Sequence, residues 1–219
     1  MQIPIFPLNT VLLPKMVISL QIFEPRYLAM LRDLQKKGES RFSVHLIRKG
    51  REVGGPPPQP YAIGCLAQIL DIQTSTEEGF RLFVQAIGLQ RVRIHHMSLT
   101  PDGYYSAEVQ EIPYFPYRKA EKNKLEKELM AKIREILSRP SASNLQPDLE
   151  LLAQEELALV YAVPGILANS NMLKLKFLKE SDVPTLYRMA ISRLADEIRL
   201  LRQHDSIRQA RNMGPFSIN

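Results

Sequence analysis

A change in the spacing of apolar residues near Pro113 constrains the fold of this chain more than any other feature of its sequence. Before Pro113, apolar and polar residues alternate, a period that places them on opposite faces of a β-strand. After it, apolar residues recur three and four positions apart, as they do along one face of an α-helix. We therefore predict an α+β fold: an N-terminal pseudo-barrel of mostly antiparallel strands with one inserted helix, followed by a C-terminal helical bundle. The predicted strands cover residues 42–46, 63–72, 80–86, 92–94 and 105–109, with turns at 76–79 and 100–103.

One helix is expected to interrupt the strands. Pro25 suits its first turn, where a missing N–H costs no hydrogen bond, and Gly38 suits its end. Its apolar stripe follows the i, i+3, i+4, i+7 spacing and consists of Tyr27, Met30, Leu31 and Leu34.

Helices are predicted throughout the rest of the chain. They cover residues 119–137, about 148–162, a short stretch from near Ser170, and 183–203, with a Ser/Pro/Asn-rich linker at 138–147. The second is expected to stop before Pro164, and Ser181 or Asp182 is expected to cap the last. These elements predict a β-subdomain at 1–115, a helical subdomain at 116–205 that folds on itself and on the barrel, and a C-terminal tail at 206–219.

The charge of the chain permits several partners without selecting one. The formal net charge is +6, compatible with an acidic partner or with nucleic acid. Residues 118–139 contain eight basic and four acidic side chains. Mixed signs at helical spacing are typical of a solvated helix face, and a phosphate-binding stripe is the alternative.

The composition predicts a soluble, cytoplasmic protein. Apolar residues make up 45% and charged residues 24%, as in ordinary globular proteins. The single cysteine, Cys65, has no disulfide partner in the chain, which suits a reducing compartment. No apolar run reaches the roughly 18 residues that a membrane span needs, and the first residues do not resemble a secretory signal.

No motif of catalysis, nucleotide binding or metal binding is present. Gly50 and Gly55 have the separation of a phosphate-binding loop, but Pro56 and Pro57 stand where lysine and a hydroxyl residue are required. His95 and His96 are adjacent and would point to opposite faces of a strand, so they cannot chelate one ion together. No G-x-S-x-G elbow occurs. We therefore predict no catalytic residues, no metal site and no cofactor.

Several sequence blocks resemble the N-terminal domain of Lon proteases. They are Ile3-Pro4-Ile5-Phe6-Pro7-Leu8, Val11-Leu12-Leu13-Pro14, Leu20-Gln21-Ile22-Phe23-Glu24-Pro25-Arg26-Tyr27, Ile63-Gly64-Cys65-Leu66-Ala67 and Gly88-Leu89-Gln90-Arg91-Val92-Arg93-Ile94. Their order and spacing cover residues 1–112, whereas the helices after them fit the family by position and pattern. Lys15 departs from the family, which usually has glycine after the proline, and this predicts a differently shaped turn.

The resemblance implies a pseudouridine-synthase-and-archaeosine-transglycosylase-like (PUA-like) barrel followed by helices. In full-length Lon this domain precedes an ATPase and a Ser–Lys protease domain, and this chain is similar to stand-alone bacterial proteins that carry the substrate-binding domain alone. The implied role is therefore non-catalytic binding of unfolded or exposed segments of protein substrates or partners, with a protease or chaperone among the candidate partners. The same module occurs in the substrate receptor cereblon.

The most distinctive block supplies the candidate binding residues. We predict partner binding by Phe23, Glu24, Arg26 and Tyr27, together with Arg91 and Arg93, in a groove between barrel and helices or on the barrel rim. The alternative for the first block is structural, with Phe23 and Tyr27 packed and Glu24 and Arg26 holding the turn.

Two other functions stay open at this point. An RNA-binding PUA-like barrel would use Arg91 and Arg93 as a basic face, although no aromatic stacking platform lies among them. An unrecognised enzyme would need an enclosed pocket with titratable groups of shifted pKa.

Overall fold

The computed structural model describes residues 1–75, 80–138, 152, 154–167 and 170–212. The predicted turn at 76–79 and most of the predicted linker at 138–147 lie outside these residues. The chain divides into two compact units. The first, here the β unit, consists of Met1–Phe115 and Asn169–Ser181, and the second, the helical unit, of Pro116–Ala168 and Asp182–Asn219.

Seven strands and one of the two helices of the β unit lie before Phe115 in the described residues. The strands are β1 (Gln2–Leu8), β2 (Val17–Ile22), β3 (Arg41–Lys49), β4 (Gln59–Pro60), β5 (Ile63–Ser75), β6 (Arg81–Leu99) and β7 (Tyr105–Glu111). Helix α1 (Pro25–Lys36) has Pro25 in its first turn and buries Tyr27, Met30, Leu31 and Leu34. The inserted helix and its apolar stripe are thus confirmed.

The sheet is mostly antiparallel, as predicted, and its strands close into a ring. The order of pairing is β1-β7-β6-β5-β3, and a parallel pairing of β3 with β1 completes the circuit. β4 extends β3, and β2 pairs with β6 outside the ring. Inside the ring, Ile3 and Ile5 of β1 pack with core residues of the other strands, namely Leu66, Val92, Ala107 and Val109.

β6 differs from the prediction, because one strand of 19 residues replaces the two runs at 80–86 and 92–94. Gly88 interrupts the alternation of the sequence but not the strand. A Cβ at this position would lie 2.3 Å from the carbonyl oxygen of Leu13 and 3.0 Å from the sulfur of Cys65. The glycine therefore marks a close approach of two backbones rather than a turn.

The turn at Lys15 adopts a backbone that glycine takes most easily. Lys15 has φ of 67°, in the left-handed region, and its N–H donates to the carbonyl oxygen of Gly88 at 2.7 Å. A residue with a Cβ tolerates this conformation at a cost of roughly 1–2 kcal/mol. Replacement of the expected glycine by lysine therefore does not prevent a left-handed turn.

The helical unit contains α2 (Lys119–Leu137), α3 (Ala158–Ile166) and α5 (Val183–Asn212), whereas α4 (Asn171–Lys179) belongs to the β unit. α2 has the predicted bounds and buries Leu129, Ile133 and Ile136. The N–H of Thr185 donates to the Asp182 carboxylate at 2.9 Å, which confirms the predicted cap of α5. Among the described helices, none combines the length and apolar character that crossing a bilayer requires.

α3 and α5 depart from the predicted bounds. Leu157 has φ of 64°, so α3 begins only at Ala158. The part of the predicted second helix at 148–151 lies outside the described residues. α3 continues through Pro164, which lies in the last turn, so that the proline removes one hydrogen bond there without ending the helix earlier. α5 runs beyond residue 203 to Asn212, into the predicted tail, whose residues 213–219 lie outside the described residues.

Candidate functional site

The predicted Phe23–Tyr27 block lines a cleft of about 320 Å³ at the outer edge of β2, called here the Phe23 cleft. One side is formed by β2 and the start of α1, and the other by Leu8, Thr10, Glu52 and Val53. Its complete lining is Phe6, Leu8, Thr10, Ile18, Ser19, Leu20, Gln21, Ile22, Phe23, Glu24, Tyr27, Glu52 and Val53. The cleft therefore combines a strand edge, an apolar floor and a loop.

Arg26 holds the loop that forms the far side of this cleft. Its guanidinium donates to the Glu24 carboxylate at 2.6 Å and to the carbonyl oxygens of Glu52 and Gly55 at 3.4 and 3.3 Å. The Glu24 carboxylate also accepts the N–H of Gly54 at 3.4 Å. Because the Arg26 and Glu24 side chains are only 10% and 16% exposed, this ion pair fixes the loop to the start of α1.

Tyr27 forms part of the cleft floor and is buried. Its ring lies 4.2 Å from that of Phe6, measured between centroids, and Phe6 in turn packs against Phe42. Burial is the main cause that raises the pKa of the Tyr27 hydroxyl to about 12. The phenol therefore stays neutral at physiological pH, and Tyr27 contributes packing rather than charge.

Phe23 has the opposite environment, because 44% of it is exposed. The Arg81 guanidinium lies 5.9 Å from the centre of its ring. Phe83, which is 45% exposed, pairs across the β2–β6 ladder with Gln21, two residues before Phe23. Val17 and Val53 are more than half exposed. These four exposed apolar residues lie at the two ends of β2, on the neighbouring strand β6 and on the loop across the cleft, and they are together called here the Phe23 surface.

Arg91 and Arg93 do not form one basic face. Arg91 is 1% exposed and lies under two segments of the β unit that follow it in the chain. It donates to the carbonyl oxygens of Ile112 and Pro113 at 3.0 Å, to those of Leu178 and Glu180, and to the Ser181 hydroxyl at 3.3 Å. Its guanidinium also stacks 3.9 Å from the centre of the Tyr114 ring. Arg93 is exposed, so the structure separates the two arginines.

Sequence reasoning missed Phe83, Val53 and the edge of β2. The signal for Phe83 was available, because it occupies the position between Leu82 and Val84 that alternation assigns to solvent. Alternation therefore marks Phe83 as a large apolar side chain on the solvent face of its strand. Val53 gave no such signal, since it lies in a loop without periodicity.

Two larger clefts lie elsewhere in the β unit. One, of about 690 Å³, is lined by residues 49–51 and 53–59 of the glycine- and proline-rich loop and by Tyr105. The other, of about 640 Å³, lies between α1 and the strands β5 and β6 and includes Leu28, Leu31, Ile72 and Phe80. Neither contains a residue predicted from the sequence to bind a partner, whereas the Phe23 cleft contains three.

Two titratable groups with shifted pKa values, His45 and Cys65, lie buried in the β unit. The His45 ring lies 2.9 Å from the Ser43 hydroxyl, the geometry of a base beside a nucleophile, but both residues are fully buried. Burial lowers the pKa of His45 to about 4 and raises that of the Cys65 thiol above its usual range. Within the described residues, no group of three His, Cys, Asp or Glu side chains has an arrangement that could hold a metal ion.

Comparison with known proteins identifies relatives along most of the chain. The family model of the ATP-dependent protease La (LON) substrate-binding domain matches residues 2–196. A Lon N-terminal domain protein from Xanthomonas campestris has 24% sequence identity and a TM-score of 0.59, over 88% of this chain and 98% of that one. The N-terminal domain of a Mycobacterium avium complex Lon protease has 19% identity and a TM-score of 0.68, over 90% and 99%.

Proposed function

This chain belongs to the ATP-dependent protease La (LON) substrate-binding domain family, and from that membership we propose that it binds unfolded or exposed segments of other proteins at the Phe23 surface. The observation that carries the proposal is the position of Phe23. It is a large aromatic side chain, nearly half exposed, beside a cleft whose floor and loop are rigidly held. Exposed aromatic residues on a fixed support bind partners at a low cost in conformational entropy.

The supporting residues make the surface suitable for binding without chemistry. Arg26 and Glu24 position the loop that contains Val53, and Tyr27 fills the floor, so these three residues act by positioning. Phe23 and Val53 offer the contact area. Arg93, exposed on β6, is proposed as a peripheral contact that adds attraction for acidic partners.

The proposal includes the finer features that the family resemblance implies. These are a PUA-like architecture for the β unit, a bundle for the helices, and a location in the bacterial cytoplasm. Both similar structures come from bacteria, which supports the last point. We further propose that the chain acts without catalysis of its own, and that a protease or chaperone is a partner for its bound segments.

A fluorescence-anisotropy titration tests the binding of unfolded chains. The probe is labelled lactalbumin that has been reduced and carboxymethylated, so that it stays unfolded. We expect saturable binding that survives moderate salt, because apolar contacts are not screened. Phe23→Ala is expected to weaken binding about tenfold, the effect of losing roughly 1.4 kcal/mol of aromatic contact.

Phe115→Ala is the matched control for this titration. Phe115 also belongs to the β unit and is 60% exposed, but it does not line the cleft. The control should bind like the original protein. Equal losses in the two variants would contradict a specific role for Phe23, and absence of saturable binding would contradict the proposed function.

Labelled RNA, titrated in parallel at several salt concentrations, tests the competing function. A phosphate-binding surface releases counterions, so its affinity falls steeply as salt rises. Tight and steeply salt-dependent binding of RNA, with none of the unfolded polypeptide, would replace the proposed function by RNA binding.

A further inference from the structure

The outer edge of β2 has backbone groups that no described strand pairs with. β2 pairs with β6 on one side, and on its other side no strand among the described residues pairs with it. Gly88, opposite Met16, donates its N–H to the carbonyl oxygen of Met16 at 2.9 Å. Since hydrogen-bonded pairs alternate along an antiparallel ladder, Ile18, Leu20 and Ile22 direct their backbone groups toward β6, and Val17, Ser19 and Gln21 direct theirs outward.

In the described residues, this edge lacks the charges, prolines, bulges and covering elements that normally prevent another chain from pairing with a strand. Natural edge strands are protected by charged residues, prolines, bulges or a covering loop. β2 reads Val-Ile-Ser-Leu-Gln-Ile, with no charge and no proline, and its register with β6 is uninterrupted. The Phe23 cleft runs beside it, so the outward groups border the open space of the cleft, and no element in the described part of the chain covers them.

We propose that the substrate segment binds as an added β-strand along the outer edge of β2, in an extended conformation. This inference rests on the proposed function and specifies how the same surface works. The unpaired N–H and C=O groups of Val17, Ser19 and Gln21 are matched by the backbone of any extended chain, whatever its sequence. Backbone hydrogen bonds thus supply affinity without sequence specificity, as binding to many different unfolded proteins requires.

The cleft selects among the side chains of the added strand. Alternate residues of an added strand point to the same face, so every second side chain meets the floor formed by Phe6 and Tyr27. The carboxylates of Glu24 and Glu52 lie at the rim and already accept N–H groups, of Gly54 and Asn9 respectively. Acidic side chains are therefore disfavoured, and the substrate class is an extended segment with apolar, uncharged residues at alternate positions.

The walls of the cleft favour a single chain over a second copy of this protein. Glu52 and Val53 stand opposite β2 across a space of about 320 Å³. One extended segment can enter such a cleft, whereas the edge of another sheet would bring a neighbouring strand into contact with that loop. Arg26 donates hydrogen bonds to two carbonyl oxygens of this loop and so opposes its displacement.

Amide hydrogen exchange measured by NMR, with and without a short peptide of alternating valine and threonine, tests the added strand. The amides of Val17, Ser19 and Gln21 should exchange quickly in the free protein and slow by at least about tenfold when the peptide saturates it. The amides of Ile18 and Leu20 should be slow in both states. Binding of the peptide without added protection at Val17, Ser19 and Gln21 would overturn the proposed mode of binding.

A backbone variant provides an independent measurement. Ser19→Pro removes one outward N–H and leaves the pairing with β6 intact, and it should weaken binding of the peptide about tenfold. Ser19→Ala keeps that N–H and should bind like the original protein. If Ser19→Pro does not fold, a peptide N-methylated at alternate residues removes the matching groups from the ligand, and methylation in one of the two possible registers should abolish binding.

The outcomes separate this inference from the proposed function. If the unfolded polypeptide binds and Phe23→Ala weakens it, while Ser19→Pro and both methylated peptides bind normally, the function stands and strand addition is wrong. If neither the polypeptide nor the peptide binds, both are wrong.

Discussion

The β unit and the helical unit are held together in different ways. In the β unit, a few residues make contacts that no other residue type can make: Arg91 bonds five oxygen acceptors, and Gly88 permits a backbone approach that any Cβ would block. In the helical unit, apolar stripes on α2, α3 and α5 bury against one another, and ion pairs such as Glu121–Arg188 lie on the surface. The β unit therefore depends on individual residues, and the helical unit on the sum of many interchangeable ones.

Among the substitutions that test this contrast, Arg91→Met should lower the free energy of unfolding the most. The variant fills similar space but leaves the buried carbonyl oxygen of Leu178 and the partly buried ones of Ile112 and Pro113 without their donor. We expect the free energy of unfolding to fall by about 3–5 kcal/mol, measured by urea denaturation. Arg93→Met, at an exposed position of the same strand, should change it by less than about 0.5 kcal/mol. Similar changes in the free energy of unfolding for both variants would show that Arg91 stabilises the β unit no more than an exposed arginine does.

His45 should make the stability of the β unit depend on pH. Burial lowers the pKa of His45 from its ordinary value of 6.5 to about 4, so the folded protein keeps it neutral while the unfolded chain takes up a proton. The stabilisation is complete above pH 6.5 and is lost as pH falls toward 4. The difference between these two pKa values corresponds to a loss of about 3 kcal/mol in the free energy of unfolding.

His45→Asn is the control for this pH dependence. It retains a donor for the carbonyl oxygen of Tyr61, 2.9 Å from Nδ1, but does not titrate. Denaturation midpoints measured from pH 7 to pH 4 should fall less steeply for this variant. Identical slopes in the two proteins would mean that other groups cause the acid sensitivity.

Removal of the ion pair between Glu121 and Arg188 should cause the smallest change in the free energy of unfolding. Its atoms are 2.5 Å apart, but the two side chains are 41% and 56% exposed. Solvent screens such a pair, so Glu121→Gln should lower the free energy of unfolding by at most about 1 kcal/mol. A loss as large as that of Arg91→Met would remove the contrast between the two units.

Periodicity predicted much of the fold because it reports which face of an element is buried. It located α1, α2 and the strands β3, β5 and β7. Local chemistry predicted Pro25 in the first turn of α1 and Ser181 or Asp182 as the cap of the last helix, and the structure has Asp182 there. Periodicity divided β6 at Gly88, since a glycine required for close approach looks the same in sequence as one required for a turn. Periodicity also did not predict that α4 belongs to the β unit, because that packing depends on contacts between residues far apart in the sequence.

The candidate site was predicted less completely for the same reason. The block at Phe23–Tyr27 could be located from its resemblance to Lon, but its exposure could not. The structure buries Tyr27 and exposes Phe23. Alternation with Val92 placed Arg91 toward solvent, and only the segments at 112–114 and 178–181, which fold over it, explain why it is buried.

The acceptors of Arg91 lie far apart in the sequence, so the ribosome synthesises them at different times. β1 leaves the ribosome first, yet its partner β7 ends at Glu111, so the ring of strands stays open until that residue has emerged. The acceptors at 178–181 follow only after residues 116–168 have been made. A nascent chain halted before residue 178 would carry a closed ring in which the Arg91 guanidinium lacks three of its five acceptors. Such an intermediate should be open to proteases and in need of chaperones until translation supplies the missing segment.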